Sequence, residues 1–216
     1  MLNHFVTLLI LEEFMVYYDL CLQGEVKDFS PLLGQLGWSE EEFDTVFLEA
    51  DDWGELKRKI GEQRDSCDVL IFRGGDENLN RKAAEDERVD VILHPGKDRN
   101  DSGINHVIAK AAAENCVAIG FDLKQVLSER RTNVASNWER NLMLCEKYGT
   151  PYVASTSAAE KMELRAPRDL ASLIDSMGGN GLKAVSEYPK KILQKNLAAR
   201  SSGQIRPGEK VREGEK

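Results

Sequence analysis

One stretch in the middle of the chain, residues 89–123, constrains the fold more than any other. It reads VDVILHPGKDRNDSGINHVIAKAAAENCVAIGFDL, in which two short β-branched runs flank one amphipathic helical pattern. The apolar positions of that pattern, 104, 107, 108, 111 and 112, lie on one helix face. Two strands joined by such a helix run parallel, with a right-handed crossover. The stretch therefore predicts a strand–helix–strand unit, with Asp101 or Ser102 capping its helix.

The same alternation of apolar runs and helical patterns recurs along the whole chain, which predicts an α/β fold with a parallel sheet. Eight such units would close into a TIM-like (β/α) barrel, for which about 200 residues is near the lower limit. From the residues alone, an open doubly wound sheet is the alternative. The predicted strands are 16–20, 45–49, 68–72, 89–93, 117–121 and 151–155, with weaker ones at 162–164 and 182–185.

No break in composition divides the chain, so residues 15–200 are predicted to form a single barrel domain. The apolar residues 1–14 are treated as an N-terminal extension, and Met15 is a second candidate for the start of the protein. Residues 201–216 lack an apolar period and are rich in glycine and charge, which predicts a disordered tail.

Charge and composition exclude several classes of protein. The net charge of −8 argues against non-specific nucleic-acid binding by the whole chain, although residues 182–216 are predominantly basic. The sequence shows neither a membrane-spanning apolar stretch nor a secretory signal, so we predict a soluble cytoplasmic protein that makes no membrane contact. The four cysteines are widely spaced and include no CxxC pair, which predicts buried, reduced thiols.

Motifs for catalysis are missing from the sequence. It contains no GxSxG, no P-loop and no GxGxxG after a strand. Of the three histidines, His94 alone follows a predicted strand, while Asp19 and Cys21 stand where a barrel phosphoesterase would carry two histidines. We therefore predict no catalytic residue, no bound metal and no cofactor in this chain. A free-standing metal-dependent phosphoesterase of the PHP barrel class remains the alternative.

Cations follow several of the predicted strands, at the end where α/β proteins place functional groups. Arg73 precedes two glycines, which would let a phosphate backbone approach closely. The competing interpretation is a glycine turn with a solvated arginine. If the strands share one rim, the predicted RNA-binding residues are Arg73, His94, Lys97, Arg99, Arg131 and Arg165.

Four segments carry a resemblance to a known family: YYDL, FRGGDENLNRKAAED, VDVILHPG and DSGINHVIAKAAAENCVAIGFDL. They resemble ribonuclease P protein component 3, the archaeal counterpart of the thirty-kilodalton eukaryotic subunit. The likeness runs from about Met15 to Arg200 and is strongest between Asp68 and Leu123. It implies a TIM-like barrel related to the PHP metallohydrolases that has lost the metal-binding histidines. Where this family often has an acidic residue in the strand predicted at 117–121, the chain has Gly120.

The resemblance also implies a function. It implies a subunit of ribonuclease P, the ribonucleoprotein that removes the 5′ leader from precursor tRNA, in which the RNA catalyses and the proteins aid folding and substrate binding. The implied partners are the ribonuclease P RNA, ribonuclease P protein component 2, the other protein components and precursor tRNA. Magnesium is expected for the RNA of the holoenzyme rather than for this chain.

Overall fold

The structure, a computed structural model, describes residues 15–127 and 131–201. Within those residues one five-stranded sheet forms the centre of the fold, and its strands pair side by side in chain order. Every neighbouring pair is parallel, which confirms the predicted α/β class. The strands are β1 (Thr45–Leu48), β2 (Val69–Arg73), β3 (Val91–Leu93), β4 (Ala118–Asp122) and β5 (Tyr152–Ser155).

Helical segments connect each strand to the next, as parallel pairing requires. Shorter elements are the 3-10 turns Arg64–Ser66 and Lys161–Glu163 and the π-helical turn Lys183–Glu187. The α-helices of the described residues are α1 (Val26–Phe29), α2 (Leu32–Leu36), α3 (Trp53–Gln63), α4 (Glu77–Ala84), α5 (His106–Glu114), α6 (Leu123–Val126), α7 (Arg131–Tyr148), α8 (Pro167–Ser176) and α9 (Tyr188–Ser201).

Both faces of the sheet are buried, because side chains alternate along each strand. On one face Leu70 and Ile119 belong to an apolar cluster shared with helices α3 to α8. On the opposite face Ile71 and Val91 pack with Ile192 of α9. Burial on two sides explains why the strands appear in the sequence as continuous apolar runs rather than alternating ones.

The helix of the central unit begins later than predicted. Neither Asp101 nor Ser102 caps it, because Asn105 accepts hydrogen bonds from the backbone amides of Val107 (2.9 Å) and Ile108 (3.0 Å). The residues before Asn105 cannot continue the helix, since Gly103 has a φ of 71°.

The two weakest strand predictions are wrong. Residues 161–163 form a 3-10 turn in which Met162 is exposed, so this short apolar run has no sheet to join. Residues 183–187 are helical, and Asn180 starts that turn by accepting from the amide of Lys183 at 3.0 Å. The hydrogen-bonded sheet of the described residues is consequently open, with β1 and β5 at its edges.

The predicted first strand, residues 16–20, forms no ladder with the sheet. The amide of Tyr18 donates to the carbonyl of Val185 (2.9 Å), and Oγ1 of Thr45 donates to the carbonyl of Leu20 (3.2 Å). One of these partners lies in a helical turn, which cannot extend a β ladder. The segment therefore lies between the two edges of the sheet without belonging to it.

Asp19 fastens this segment to the end of β5. The carboxylate is 3% exposed and accepts from the amide and hydroxyl of Thr156 (2.9 and 2.5 Å), from the hydroxyl of Ser155 and from the amide of Cys21 (3.3 Å). Burial raises the pKa of Asp19, while these hydrogen bonds act in the opposite direction. Its two oxygens are thus committed to protein donors.

We expect Asp19→Ala to lower the free energy of unfolding by about 2 kcal/mol, because the buried amides of Cys21 and Thr156 lose their acceptor. Asp19→Asn keeps one acceptor oxygen and should lose roughly half as much. Urea denaturation of the two variants measures both values. Equal midpoints for wild type and Asp19→Ala would show that apolar contacts alone hold the segment.

The structure also bears on the predictions for membrane spans, cysteines and the ends of the chain. None of the helices in the described ranges is long and apolar enough to cross a membrane. All four cysteines are free, and three are buried as predicted, whereas Cys116 is exposed. Ser201, predicted as the first residue of the tail, belongs to α9 instead. The predictions for residues 1–14 and 202–216 lie outside the described residues.

Candidate nucleic-acid interface

A cleft of about 830 Å³ opens at the carboxyl ends of the strands. Its lining comes from Gln23, from the last residues of β2 and β4, and from the segments that follow β3, β4 and β5, so the parallel register of the sheet gathers separate parts of the chain into one place. In open α/β sheets this edge is where ligands bind. Among the predicted RNA-binding residues, those that line the cleft are Arg73, His94, Lys97 and Arg99.

Arg73 ends β2 and is held more firmly than a solvated arginine would be. Its Nη2 donates to Oε1 of Gln23 (2.5 Å), and its Nη1 lies 3.5 Å from Oε1 of Glu49. The guanidinium also lies over the ring of Phe47, 4.9 Å from the centroid. Its Nε is buried and has no hydrogen-bond partner. The side chain is pre-positioned at the cleft and keeps one donor available.

The loop after β3 contributes two cations that differ in their freedom. Arg99 contacts Asp101 (2.7 Å) and Glu77 (3.3 Å), and this guanidinium lowers the pKa of Asp101 to about 2. Lys97 has no ion pair within the described part of the chain. Lys97 is therefore the cation with the least internal competition for a phosphate.

His94 faces a carboxylate rather than open solvent. Its Nε2 lies 2.6 Å from Oδ2 of Asp122, the last residue of β4, whose other oxygen accepts from the amide of Lys124 (2.8 Å). The predicted strand stopped at 121 and so omitted this acidic residue. Gly120 itself has no room for a carboxylate, because a Cβ there would lie 2.7 Å from the Leu93 side chain. The acidic residue at this end of the strand is Asp122, two positions after Gly120.

The remaining two predicted cations are Arg165 and Arg131. Arg165 donates to the carbonyls of Met162 (3.0 Å) and Leu164 (2.7 Å) in its own loop and does not line the cleft. Arg131 begins α7, and its side chain lies outside the described residues.

Lys124 is a cation of the cleft that the sequence prediction missed. It follows β4 and lies 2.7 Å from Oε2 of Glu163. That ammonium, together with the amide of Ala159, lowers the pKa of Glu163 to about 2. The Lys124–Glu163 ion pair connects the segment after β4 to the segment after β5. The sequence did contain a signal for Lys124, because this cation stands two residues after the end of an apolar strand.

No group of three potential metal ligands occurs among the described residues. The oxygens of Asp19 are occupied by protein donors, as described above. Burial, reinforced by the charge of Asp19, raises the pKa of the Cys21 thiol well above its usual value, which disfavours the thiolate that a metal would need. The arrangement suits anion binding better than metal-assisted hydrolysis.

Comparisons with known proteins show the family to which this chain is similar. The profile of the family described as RNase P subunit p30 matches residues 43–201. A protein of Methanosarcina mazei named ribonuclease P protein component 3 is 40% identical over 181 residues, which cover 81% of this chain and 74% of the relative. A protein of Methanococcoides burtonii with the same name is 39% identical over 159 residues, or 71% of this chain and 66% of the relative.

A solved structure gives the same result at the level of the fold. One chain of a structure described as archaeal ribonuclease P with mature tRNA superposes with a TM-score of 0.72 and 25% sequence identity. The superposition covers 97% of this chain and 94% of that chain. The matched profile spans most of the chain, and the identity exceeds what a shared fold alone requires, so this chain belongs to the RNase P subunit p30 family.

Proposed function

We propose that this chain is a protein subunit of ribonuclease P and assists the removal of the 5′ leader from precursor tRNA. The observation that carries this function is the match, over nearly the full length of both chains, to a chain of an archaeal ribonuclease P structure. Relatives 40% identical carry a ribonuclease P name. The role is accessory, in RNA folding and substrate binding, and catalysis belongs to the RNA.

The cleft supports the RNA-binding part of this function. Arg73, Lys97, Arg99 and Lys124 surround it, while His94 and Asp122 form a polar pair at its floor. Cations grouped in this way allow an acidic protein to hold a polyanion locally. Arg131 and Arg165 belong to the proposal as outer contacts, because they lie in the segments of chain that come after β4 and β5 respectively.

The free-standing metal-dependent phosphoesterase is not favoured. Such an enzyme needs several histidine and carboxylate ligands around an open coordination site. In the described residues the equivalent region offers one histidine hydrogen-bonded to one carboxylate, with Asp19 fully engaged elsewhere. The relatives and the solved structure carry ribonuclease P names instead.

The fold itself fits an incomplete TIM-like barrel formed by residues 15–200. Sequential parallel order and helices on the outer face support this architecture. The segment around Asp19 bridges the open edges, and α9 fills the face that would be the barrel interior. Closure would then depend on side-chain hydrogen bonds rather than on additional strands.

Several properties of the assembly follow from the same proposal. The partners are the ribonuclease P RNA, ribonuclease P protein component 2, the other protein components and precursor tRNA, in the cytoplasm. Magnesium acts on the RNA of the holoenzyme, and this chain binds no cofactor. Metal analysis of the purified protein tests the last point, and stoichiometric zinc or manganese with phosphatase turnover would contradict it.

Removing cations from the cleft should weaken substrate binding without altering the fold. For Arg73→Ala combined with Lys97→Ala, we expect pre-tRNA cleavage by the reconstituted holoenzyme to fall about tenfold at limiting magnesium. The salt slope of RNA binding should fall by about 1 for each phosphate that the variant no longer neutralises. Lys97→Ala alone should account for much of the reduced cleavage, because Arg73 also has internal partners.

The control matched to Lys97→Ala is Lys57→Ala. It removes one positive charge from an exposed position of helix α3, away from the cleft. Its cleavage rate should equal that of the wild type. Full activity of the double variant would place the RNA on another surface, with Lys190, Lys191 and Lys195 of α9 as the next variants to test. A holoenzyme equally active without this chain would contradict the proposed function itself.

A further inference from the structure

We propose that the cleft takes a single unstacked ribonucleotide, with its phosphate against the cation wall and its base against an opposing wall of amides. This inference rests on the proposed function and names the chemical form of RNA that the site recognises. It also predicts that the free protein binds ribonucleoside monophosphates.

Size and shape favour one nucleotide over a duplex. The volume of about 830 Å³ falls within the range of small-molecule sites, roughly 300–1,000 Å³. An RNA helix presents phosphates on a broad convex surface and keeps its bases stacked inside. A concave site enclosed by separate parts of the chain can instead receive a base that has been turned out of a loop, a bulge or a chain end.

The two walls of the cleft differ chemically. Arg73 at the end of β2 and Lys97 after β3 provide positive charge on one side. On the other side, α6 and α7 contribute the side-chain amides of Gln125, Asn133 and Asn137, together with Lys124, whose charge is paired with Glu163. Amides both donate and accept, so they match the edges of nucleobases, whereas the cations match a phosphate. A ribonucleotide carries a base and a phosphate separated by a sugar, so its two ends match the amide wall and the cation wall.

A buried polar group of the cleft has no partner among the residues that the structure describes. Ser157 is 1% exposed and lines the cleft, and its Oγ forms no hydrogen bond within that part of the chain. An unpaired buried hydroxyl lowers stability unless something binds to it. The Nε of Arg73 is buried and unpaired in the same cleft. The protein thus holds two donors ready for an external acceptor.

Backbone strain is concentrated at the same place. Non-glycine residues with positive φ are uncommon, and among the described residues only four have one. Three of them line this cleft: His94 (55°), Asp98 (58°) and Ser157 (48°). Strained backbone persists where the surrounding structure maintains it, and it tends to accumulate at binding sites. The strain points to a site shaped for a ligand rather than to an incidental groove between loops.

The described residues that line the cleft include no phenylalanine, tyrosine or tryptophan. Sites that bind single strands without sequence preference stack bases on aromatic rings. Here hydrogen bonds to the base edge must provide the contact, and such bonds differ among the four bases. The site should therefore discriminate between nucleotides, by about tenfold between the best and the worst.

Titration of the full chain with each of the four ribonucleoside 5′-monophosphates, and with inorganic phosphate, tests the inference by calorimetry and amide chemical shifts. We expect saturable binding below about 10 mM, tighter for the best nucleotide than for phosphate, with shifts at residues 94–100 and 157. Ser157→Ala should weaken nucleotide binding about three- to tenfold without lowering the melting temperature, because its buried hydroxyl has no hydrogen-bond partner among the described residues and lowers stability in the free protein.

Two further variants make the test specific. Asn133→Ala, on the amide wall, should reduce nucleotide binding and leave phosphate binding unchanged, while Lys57→Ala should change neither. Equal affinity for phosphate and all four nucleotides, or no saturable binding at all, would overturn the inference. If the wild-type chain still stimulates pre-tRNA cleavage in that case, only the single-nucleotide site fails and the proposed function stands.

Discussion

Replacing Asp90 with alanine should lower the free energy of unfolding by about 3–5 kcal/mol, which is a large part of the stability of a typical domain. Asp90 and Arg64 are 1% and 6% exposed, and Nη1 of Arg64 lies 2.5 Å from Oδ2 of Asp90. Removing the carboxylate leaves the guanidinium charge buried without its counter-ion.

Two further donors depend on the same carboxylate. The amide of Leu70 in β2 donates to Oδ2 of Asp90 (2.8 Å), and Nδ2 of Asn196 in α9 donates to Oδ1 (3.0 Å). The carboxylate of Asp90 therefore connects the amino-terminal end of the sheet to α9, the helix that packs on one of its faces. Loss of this contact should loosen α9, which then keeps its contacts with Asp68 through Asn196 and Arg200.

The matched control is an exposed pair on α3, where Arg58 and Glu62 lie 2.8 Å apart with both side chains more than half exposed. Glu62→Ala should change stability by no more than about 0.5 kcal/mol, since exposed pairs contribute little. Chemical denaturation, together with amide exchange of α9, measures both variants. A loss below about 1 kcal/mol for Asp90→Ala would contradict a structural role for the buried pair.

The second large effect is expected at Gly103, where alanine should lower stability by about 2–5 kcal/mol. Gly103 has a φ of 71°, and a Cβ there would overlap the carbonyl of Pro95 and lie 2.6 Å from the amide nitrogen of Gly96. These obstacles are backbone atoms, so no side-chain rotation relieves them. The loop after β3 must move instead.

That loop carries two cations of the cleft, Lys97 and Arg99, so the change should affect function as well as stability. Asn80, which is fully buried, holds the loop closed by donating to the carbonyls of Pro95 (2.8 Å) and Gly103 (3.0 Å). Displacement of Gly103 breaks these bonds and shifts Lys97. We expect reduced pre-tRNA cleavage and faster amide exchange throughout residues 94–103.

A glycine-to-alanine control distinguishes this mechanism from a general effect of the substitution. Gly61 lies within α3 with no atom near its Cβ position, so Gly61→Ala should raise stability by roughly 0.5–1 kcal/mol through helix propensity. Thermal and urea melts of the two variants provide the comparison. Wild-type stability of Gly103→Ala would mean that the loop accommodates a side chain without moving.

The part of the fold that could be predicted is the part encoded by local pattern. The apolar runs of β2, β3 and β4 and the amphipathic period of α5 each lie within one short stretch, and all four elements form where predicted. The errors there are small. The helix is capped by Asn105 rather than by Asp101 or Ser102, because Gly103 has a non-helical φ. Strand β4 ends at Asp122 rather than at residue 121, because Asp122 pairs with Ser155.

The site was predictable only in outline. Arg73, Lys97 and Arg99 were correctly placed at one rim, because parallel strands direct their carboxyl ends the same way. Which cations remain available depends on neighbours that the sequence does not show, such as Gln23 beside Arg73 and the loop carbonyls beside Arg165. The amide wall and the unpaired hydroxyl of Ser157 gave no sequence signal at all.

By itself, the sequence determined the α/β class, the parallel order of the central strands, the likeness to a ribonuclease P component and the strand end that carries the cations. Tertiary structure alone decided that residues 16–20 form no strand and that α9 covers the inner face of the sheet. These outcomes depend on contacts such as those of Asp19 with Thr156, 137 residues away. Periodicity reports which face of an element is buried, but a hydrogen bond between distant residues depends on where the whole chain brings them, and no local pattern records that.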